Sequence, residues 1–323
     1  MGLKSKTINF LKIALPLLLG IFLIWYSYNK FTPQQLQEIK SHFREANYGY
    51  VALSVLFGIL SNISRAIRWG YMFEPIGYKL RFSNKIMAVY ITYLMNLFIP
   101  RSGELSRALV VNKYEDVPFD KAFGTIISER AFDFIILLIF IGVTISLQFP
   151  LISGFFQDEN LDLFGIYVAI GVAVPLVFLG FYFLKKSNST LSEKIKYFLK
   201  GLKEGILTIF KMKRKWAFLG HTLFIWLMYV CMFYVMIFAL PETSGISIPA
   251  ILTAFVVGSL TIAFTNGGFG SYPFFTAALL LLFDVPETAG TAFGWLVWTS
   301  QTVMVIILGG LSFLLLPVLN KAK

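Results

Sequence analysis

Apolar residues fall in long runs along this chain, and polar positions cluster between them. Six runs, roughly 10–28, 49–71, 122–149, 163–184, 217–240 and 289–316, predict membrane-spanning helices. Each is long enough to cross a hydrocarbon layer of about 30 Å at about 1.5 Å per residue. Two further runs, 86–99 and 250–265, are shorter, and as helices would reach only about 21–24 Å. The first stops at Pro100-Arg101-Ser102-Gly103, the second at Asn266-Gly267-Gly268-Phe269-Gly270. Broken helices persist at membrane depth only where protein or a wet cavity covers the freed backbone.

Composition agrees with a bilayer as solvent. Hydrophobic residues make up 57% and charged residues 14% of the chain, with a mean hydropathy of +0.73. Soluble domains carry about 25% charged residues. The N-terminal run is long for the apolar core of a signal peptide. Trp25-Tyr26-Ser27-Tyr28 is also no small-residue cleavage site, so the run reads as a retained first span. The net charge of +11 sits between apolar spans. It therefore points to anionic lipid headgroups rather than to nucleic acid.

The basic residues also assign sides, because cytoplasmic loops keep Lys and Arg while translocated loops lose them. Residues 185–216 hold ten of the 28 lysines and arginines, whereas 216–320 hold none. Lys4, Lys6 and Lys12, then Lys79, Arg81 and Lys85, then Lys321 and Lys323 mark further inside segments. Both termini are thus expected in the cytoplasm, in a multi-pass protein of the cell (inner, cytoplasmic) membrane. Segments 150–162, 241–249 and 284–288 have acids and no bases, and are expected outside. The loop 29–48, with Lys30, Lys40 and Arg44, fits the pattern least well.

These sides constrain the short runs. The simplest solution has 86–121 enter and leave from the cytoplasm, and 250–283 enter and leave from outside. The expected fold is then all-α: a single integral membrane domain, 1–323, of about six full spans plus two re-entrant hairpins. An ordinary eight-span bundle is the competing layout. In the hairpin layout 10–149 and 163–316 are repeats of opposite orientation, an arrangement common in transporters. Within 185–216, Leu191, Ile195, Phe198, Leu199, Leu202, Ile206 and Ile209 recur at helical spacing between lysines. This predicts an amphipathic helix on anionic inner-leaflet lipids.

Ionisable groups within spans are expensive against lipid and so are informative. Ser61, Arg65 and Arg68 form a stripe on the second span, and Glu129 and Asp133 share a face of the fourth, beside Arg130. Asn96, Arg101, Glu104 and Arg107 surround the Pro100 break. Such a cluster either pairs internally to staple the bundle or lines a polar cavity. Arginine-lined pockets suit phosphates, because the guanidinium fork donates two parallel hydrogen bonds. In the nearly uncharged second half, Asn266, Gly267, Gly268 and Gly270 allow a tight bend whose amides can meet an anion. With one cysteine, Cys231, and two distant histidines, His42 and His221, neither a disulfide nor a metal centre is expected, and no cofactor is implied.

Together these residues resemble a known family. The run Arg65-x-x-Arg68-Trp69, Asn96-x-x-x-Pro100-Arg101-x-Gly103-Glu104-x-x-Arg107, Glu129-Arg130-x-x-Asp133 and Gly267-Gly268-Phe269-Gly270 is similar to the lysylphosphatidylglycerol synthase transmembrane region, also described as flippase-like integral membrane proteins. The long spacing of the central motif and the rarity of its residues in membranes make it specific. The resemblance implies lipid flipping, with the motif residues as substrate-binding positions. In well-known members a separate acyltransferase domain aminoacylates the headgroup. No such domain is expected beyond the last span, so synthase activity is not expected. Ser271-Tyr272-Pro273 also stands where members commonly carry an Arg-Glu-like pair.

The leading expectation is a transporter-like protein, not an enzyme. It would move a phosphate-bearing membrane lipid, either an anionic phospholipid or a lipid-linked saccharide, between leaflets. A membrane-embedded enzyme acting on a lipid headgroup, with Glu129 or Asp133 as general base, is one alternative. It lacks a nucleophile–base pair or ligand set recognisable in the sequence. A non-transporting assembly factor is the other.

Overall fold

The computed structural model describes residues 2–100, 102–149, 193, 212–265 and 267–321. The predicted span 163–184, the loop 150–162, most of the basic segment 185–216, and Arg101 and Asn266 lie outside the described residues. Among the described residues the chain is helical and has no strand. The elements are α1 (Gly2–Lys30), α2 (Pro33–Glu45), α3 (Tyr48–Tyr71), α4 (Phe82–Phe98), α5 (Ser102–Glu115) and α6 (Phe119–Leu147), then α7 (Lys215–Met236), α8 (Ile248–Phe264), α9 (Ser271–Leu281) and α10 (Glu287–Leu319). Four segments are long and apolar enough to cross a membrane: Tyr48–Ile76, Phe119–Leu147, Lys215–Ala239 and Glu287–Leu319. Ala14–Lys30 and Pro33–Glu45 meet the same criterion only when taken together, and they are bent by 113° at their break. The chain is an all-α polytopic membrane protein.

The sequence pattern missed α2, which lies in what read as a loop. Its start is set by a capping box. The Thr32 side chain accepts from the Gln35 amide at 3.2 Å, and the Gln35 side chain accepts from the Thr32 amide at 2.9 Å, with Pro33 opening the helix.

Two compact units divide the chain. The first holds 1–126 and 212–323, the second 127–211. In the first unit α3 and α7 pack antiparallel, with Ser54 Oγ donating to the Met232 carbonyl at 2.9 Å near one end and Arg68 reaching Thr222 near the other. α9 lies so close to α10 that a Cβ at Gly294 would sit 2.7 Å from Pro273 Cα, and one at Gly290 3.2 Å from Ala277 Cα. Small residues permit this approach, which is how apolar helices gain contact without a hydrophobic driving force between them.

Loop contacts sort the first unit into two ends. At one, Lys30 Nζ meets Glu287 at 2.5 Å, His42 Nδ1 lies 3.6 Å from Glu242, and the Asn47 amide donates to the Ala239 carbonyl at 2.8 Å. At the other, Arg214 lies 3.5 Å from Glu74, and Arg81 and Asn84 bond to Glu115 and Asn320. Of the described segments, 241–249 and 284–288, expected outside, thus lie at one end, and 79–85 and 212–216, expected inside, at the other. Because Arg81, Asn84 and Glu115 meet, α4 and α5 form a hairpin whose two feet share an end. The α8–α9 hairpin stands on the opposite end. Their tips meet: Leu97 Cδ2 is 3.5 Å from where a Cβ on Gly267 would lie.

In the second unit the described part of α6 reverses the soluble pattern. Glu129 and Asp133 are buried, while Phe134, Leu138 and Ile139 are exposed. Apolar side chains outward and charges inward is the arrangement a lipid solvent selects.

Candidate functional site

The polar stripe of α3 is buried in full. Arg65 is 3% exposed and Arg68 0%, and Ser61, Asn62 and Ser64 are buried with them. Two hydroxyl groups on α7 meet these arginines. Arg65 Nη2 donates to Tyr229 Oη at 3.0 Å, and Arg68 Nη1 donates to Thr222 Oγ1 at 3.1 Å. The Arg68 guanidinium also lies 5.3 Å from the Phe218 ring centre. Arg107, on α5, stacks its guanidinium 3.9 Å above the Trp69 ring and is equally buried. Trp69 is held in turn by its indole N–H, which donates to Thr125 Oγ1 at 2.9 Å. Such cation–π contacts gain strength when desolvated, reaching about 2 kcal/mol.

The α4–α5 turn explains the Asn96 and Gly103 positions. Asn96 Oδ1 accepts from the Gly103 amide at 2.8 Å, and Asn96 Nδ2 lies 3.4 Å from Glu104 Oε2. Ser102 Oγ donates to the carbonyls of Met95 and Ile99 at 3.0 and 2.8 Å. One asparagine therefore occupies the free N–H of a new helix and faces its first acid, which satisfies backbone groups that lipid cannot.

The opposite tip, 265–270, is built from backbone. Gly267, Gly268 and Gly270 have φ of +63°, +79° and +68°, a region open to glycine at no steric cost. The Gly268 amide donates to Thr265 Oγ1 at 3.2 Å, Thr265 Oγ1 lies 2.9 Å from Ser271 Oγ, and the Trp298 indole donates to the Gly267 carbonyl at 2.8 Å. α1 seals the outer side of this tip, since a Cβ on Gly20 would lie 2.3 Å from the Phe269 carbonyl oxygen.

In the first unit, then, α7 holds Arg65 and Arg68, Trp69 of the same α3 holds Arg107, and the two hairpin tips meet at Leu97 and Gly267. In the second unit Glu129 and Asp133 lie one turn apart on a covered face, with Arg130 half-buried beside them. Sequence reasoning missed Tyr229, Thr222 and a further pair. Ser64 Oγ lies 2.8 Å from His221 Nδ1 and 3.4 Å from the His221 carbonyl. These partners are more than 150 residues from the α3 stripe. The local signal was only a histidine, a threonine and a tyrosine inside an apolar run.

Buried guanidiniums on helices that expose apolar faces, with two hairpin tips meeting between spans, define a polytopic membrane protein with a polar interior. The chain belongs to the family described as the lysylphosphatidylglycerol synthase TM region, which it matches over residues 13–310. It is 26% identical to a UPF0104 membrane protein of Methanocaldococcus jannaschii over 298 residues, 84% of this chain and 85% of that one. It is also 28% identical to Glycosyltransferase AglD of Haloferax volcanii over 109 residues, 33% of this chain but 18% of that protein. No solved structure gives a significant match.

Proposed function

We infer that this protein moves a phosphate-bearing lipid, either an anionic phospholipid or a lipid-linked saccharide, between the leaflets of the cell membrane. The observation that carries this reading is the burial of Arg65, Arg68 and Arg107 in a membrane-spanning unit. Taking each of these ions out of water costs several kcal/mol, and a structural tie between apolar helices needs no cation at all. A fork-shaped donor retained at such cost is suited to a phosphate.

The hairpins support the same reading. Rooted at opposite ends and meeting at their tips, they are the feature by which 10–149 and 163–316 would act as inverted repeats that alternately open to each side. The cytoplasmic end in this scheme is the one with Glu74, Arg81, Glu115 and Arg214. Glu129 and Asp133, stacked on one face of α6, suit proton carriage. The partial likeness to a protein named as a glycosyltransferase favours keeping a saccharide-bearing lipid among the substrates. Ser64 and His221 give the enzymatic alternative a nucleophile–base geometry, so the test must read chemistry as well as movement.

Purified protein in liposomes with fluorescent phosphatidylglycerol serves this purpose. Faster loss of inner-leaflet protection from an impermeant quencher than in protein-free liposomes, abolished by Arg65→Ala, is expected. Conversion of the lipid, abolished by Ser64→Ala, would instead favour the enzyme. No movement and no conversion, with this lipid and with a polyprenyl-phosphate sugar, would overturn both.

A further inference from the structure

The arginine site leaves one cavity unused. Alongside α3 and α10 runs an open groove of about 500 Å³, lined by Val51, Val55 and Ile59 on one wall and Trp295, Val303 and Ile307 on the other. Ligand sites commonly have about 300–1,000 Å³. From Tyr48 to Ile59 the groove follows α3 for about 17 Å at about 1.5 Å per residue, close to the ~15 Å hydrocarbon depth of one leaflet. Behind it the helices touch: a Cβ on Gly58 would lie 2.6 Å from Gln301 Oε1, and Gln301 Nε2 donates to Ser54 Oγ at 3.4 Å. The lining has little polar demand, since the Ser300 hydroxyl is already donated to the Val297 carbonyl at 3.0 Å.

The mouth lies under α2. Phe43 of α2 lines the groove, and the Tyr48 hydroxyl donates to the Phe43 carbonyl at 2.8 Å. At about 100° per residue, Lys40 and Arg44 flank the side of α2 that carries Leu36 and Phe43. Glu38 and Glu45 fall on the opposite side. Lys40 and Arg44 are exposed and have no ion-pair partner among the described residues, in contrast to Lys30, which is tied to Glu287. With Lys30, these two cations are what made the 29–48 loop fit the charge pattern poorly. At the mouth of an apolar groove they have a counter-charge to meet: a lipid phosphate.

We propose that the groove between α3 and α10 binds one acyl chain of an anionic phospholipid in the leaflet at the α2 end, with its phosphate at Lys40 and Arg44. An apolar slot of one leaflet's depth, with cations only at its mouth, matches a phospholipid tail and headgroup in order. The proposal deepens the transport reading by assigning a lipid station outside the arginine cluster. It requires only that the chain spans the bilayer.

The test uses the full chain in liposomes containing phosphatidylglycerol with a diazirine midway along one acyl chain, crosslinked by light and mapped by mass spectrometry. Crosslinks are expected severalfold enriched on 51–59 and 295–308 over the exposed apolar face at 311–319. Val303→Trp or Val55→Phe, which fill the groove, should remove the enrichment. Lys40→Glu with Arg44→Glu, both on the exposed surface, should cut it severalfold for phosphatidylglycerol and leave phosphatidylcholine labelling unchanged. Even labelling of all apolar faces, or enrichment that survives both kinds of variant, overturns the proposal. Groove labelling without movement of either phosphatidylglycerol or a polyprenyl-phosphate sugar would leave this site standing and sink the transport reading. Movement without groove labelling would do the reverse.

Discussion

Gly103→Ala is the sharpest single perturbation of the α4–α5 hairpin. A Cβ at 103 would lie 2.0 Å from the Thr92 carbonyl oxygen and 2.8 Å from Asn96 Cγ and Nδ2. Neither neighbour can yield cheaply. The first is backbone inside α4, and the second is held by its bond to the Gly103 amide at 2.8 Å. Restoring an ordinary contact requires α4 and α5 to separate by about 1 Å or more. Overpacking of this kind costs about 1–3 kcal/mol, and losing the Asn96 cap adds about 1 kcal/mol. The expected loss is about 2–4 kcal/mol, which at about 2–4 °C per kcal/mol lowers the unfolding temperature by about 4–16 °C. The assay is thermal unfolding of purified protein in detergent, with Gly124→Ala as the control, because nothing lies within 4 Å of a Cβ there. Gly124→Ala should hold or raise stability by up to about 1 kcal/mol, as alanine does in a helix. Equal unfolding temperatures for the two variants would refute the close-packed hairpin.

At the other tip, Gly268→Val forces a branched residue into φ of +79° with Tyr272 Cβ 2.9 Å from the new side chain. Lipid movement in liposomes should be lost, and an unchanged rate would remove this tip from the mechanism. Tyr229→Phe deletes only the hydroxyl that meets Arg65 at 3.0 Å, so a stability loss of about 1.5–3 kcal/mol is expected while Arg65→Ala also abolishes movement. If the two variants show the same movement rate, Arg65 is a structural tie. With Cys231 replaced, cysteines introduced at the exposed Lys79 and Ser244 should label from opposite sides of intact cells. Labelling from one side would break the assignment of ends.

The spans were legible because a bilayer demands long apolar runs whatever the neighbours do. α3, α6, α7 and α10 coincide with predicted runs, and the stripe Ser61, Arg65, Arg68 is buried as its spacing implied. The breaks at Pro100–Gly103 and Asn266–Gly270 were legible too, since glycine and proline act on the local backbone. α2 was missed because its apolar positions are few, although Thr32 and Gln35 carried the capping-box signal in plain view. What meets what was beyond the sequence. Arg65 with Tyr229, Ser64 with His221, Arg107 over Trp69 and Leu97 beside Gly267 join residues whose order in the chain says nothing of their distance. Hydropathy places a residue at a depth and on a face. The partner across that face depends on which helices pack together, and that is decided by the summed fit of many small contacts such as Gly294 on Pro273, none of which is encoded in any one segment.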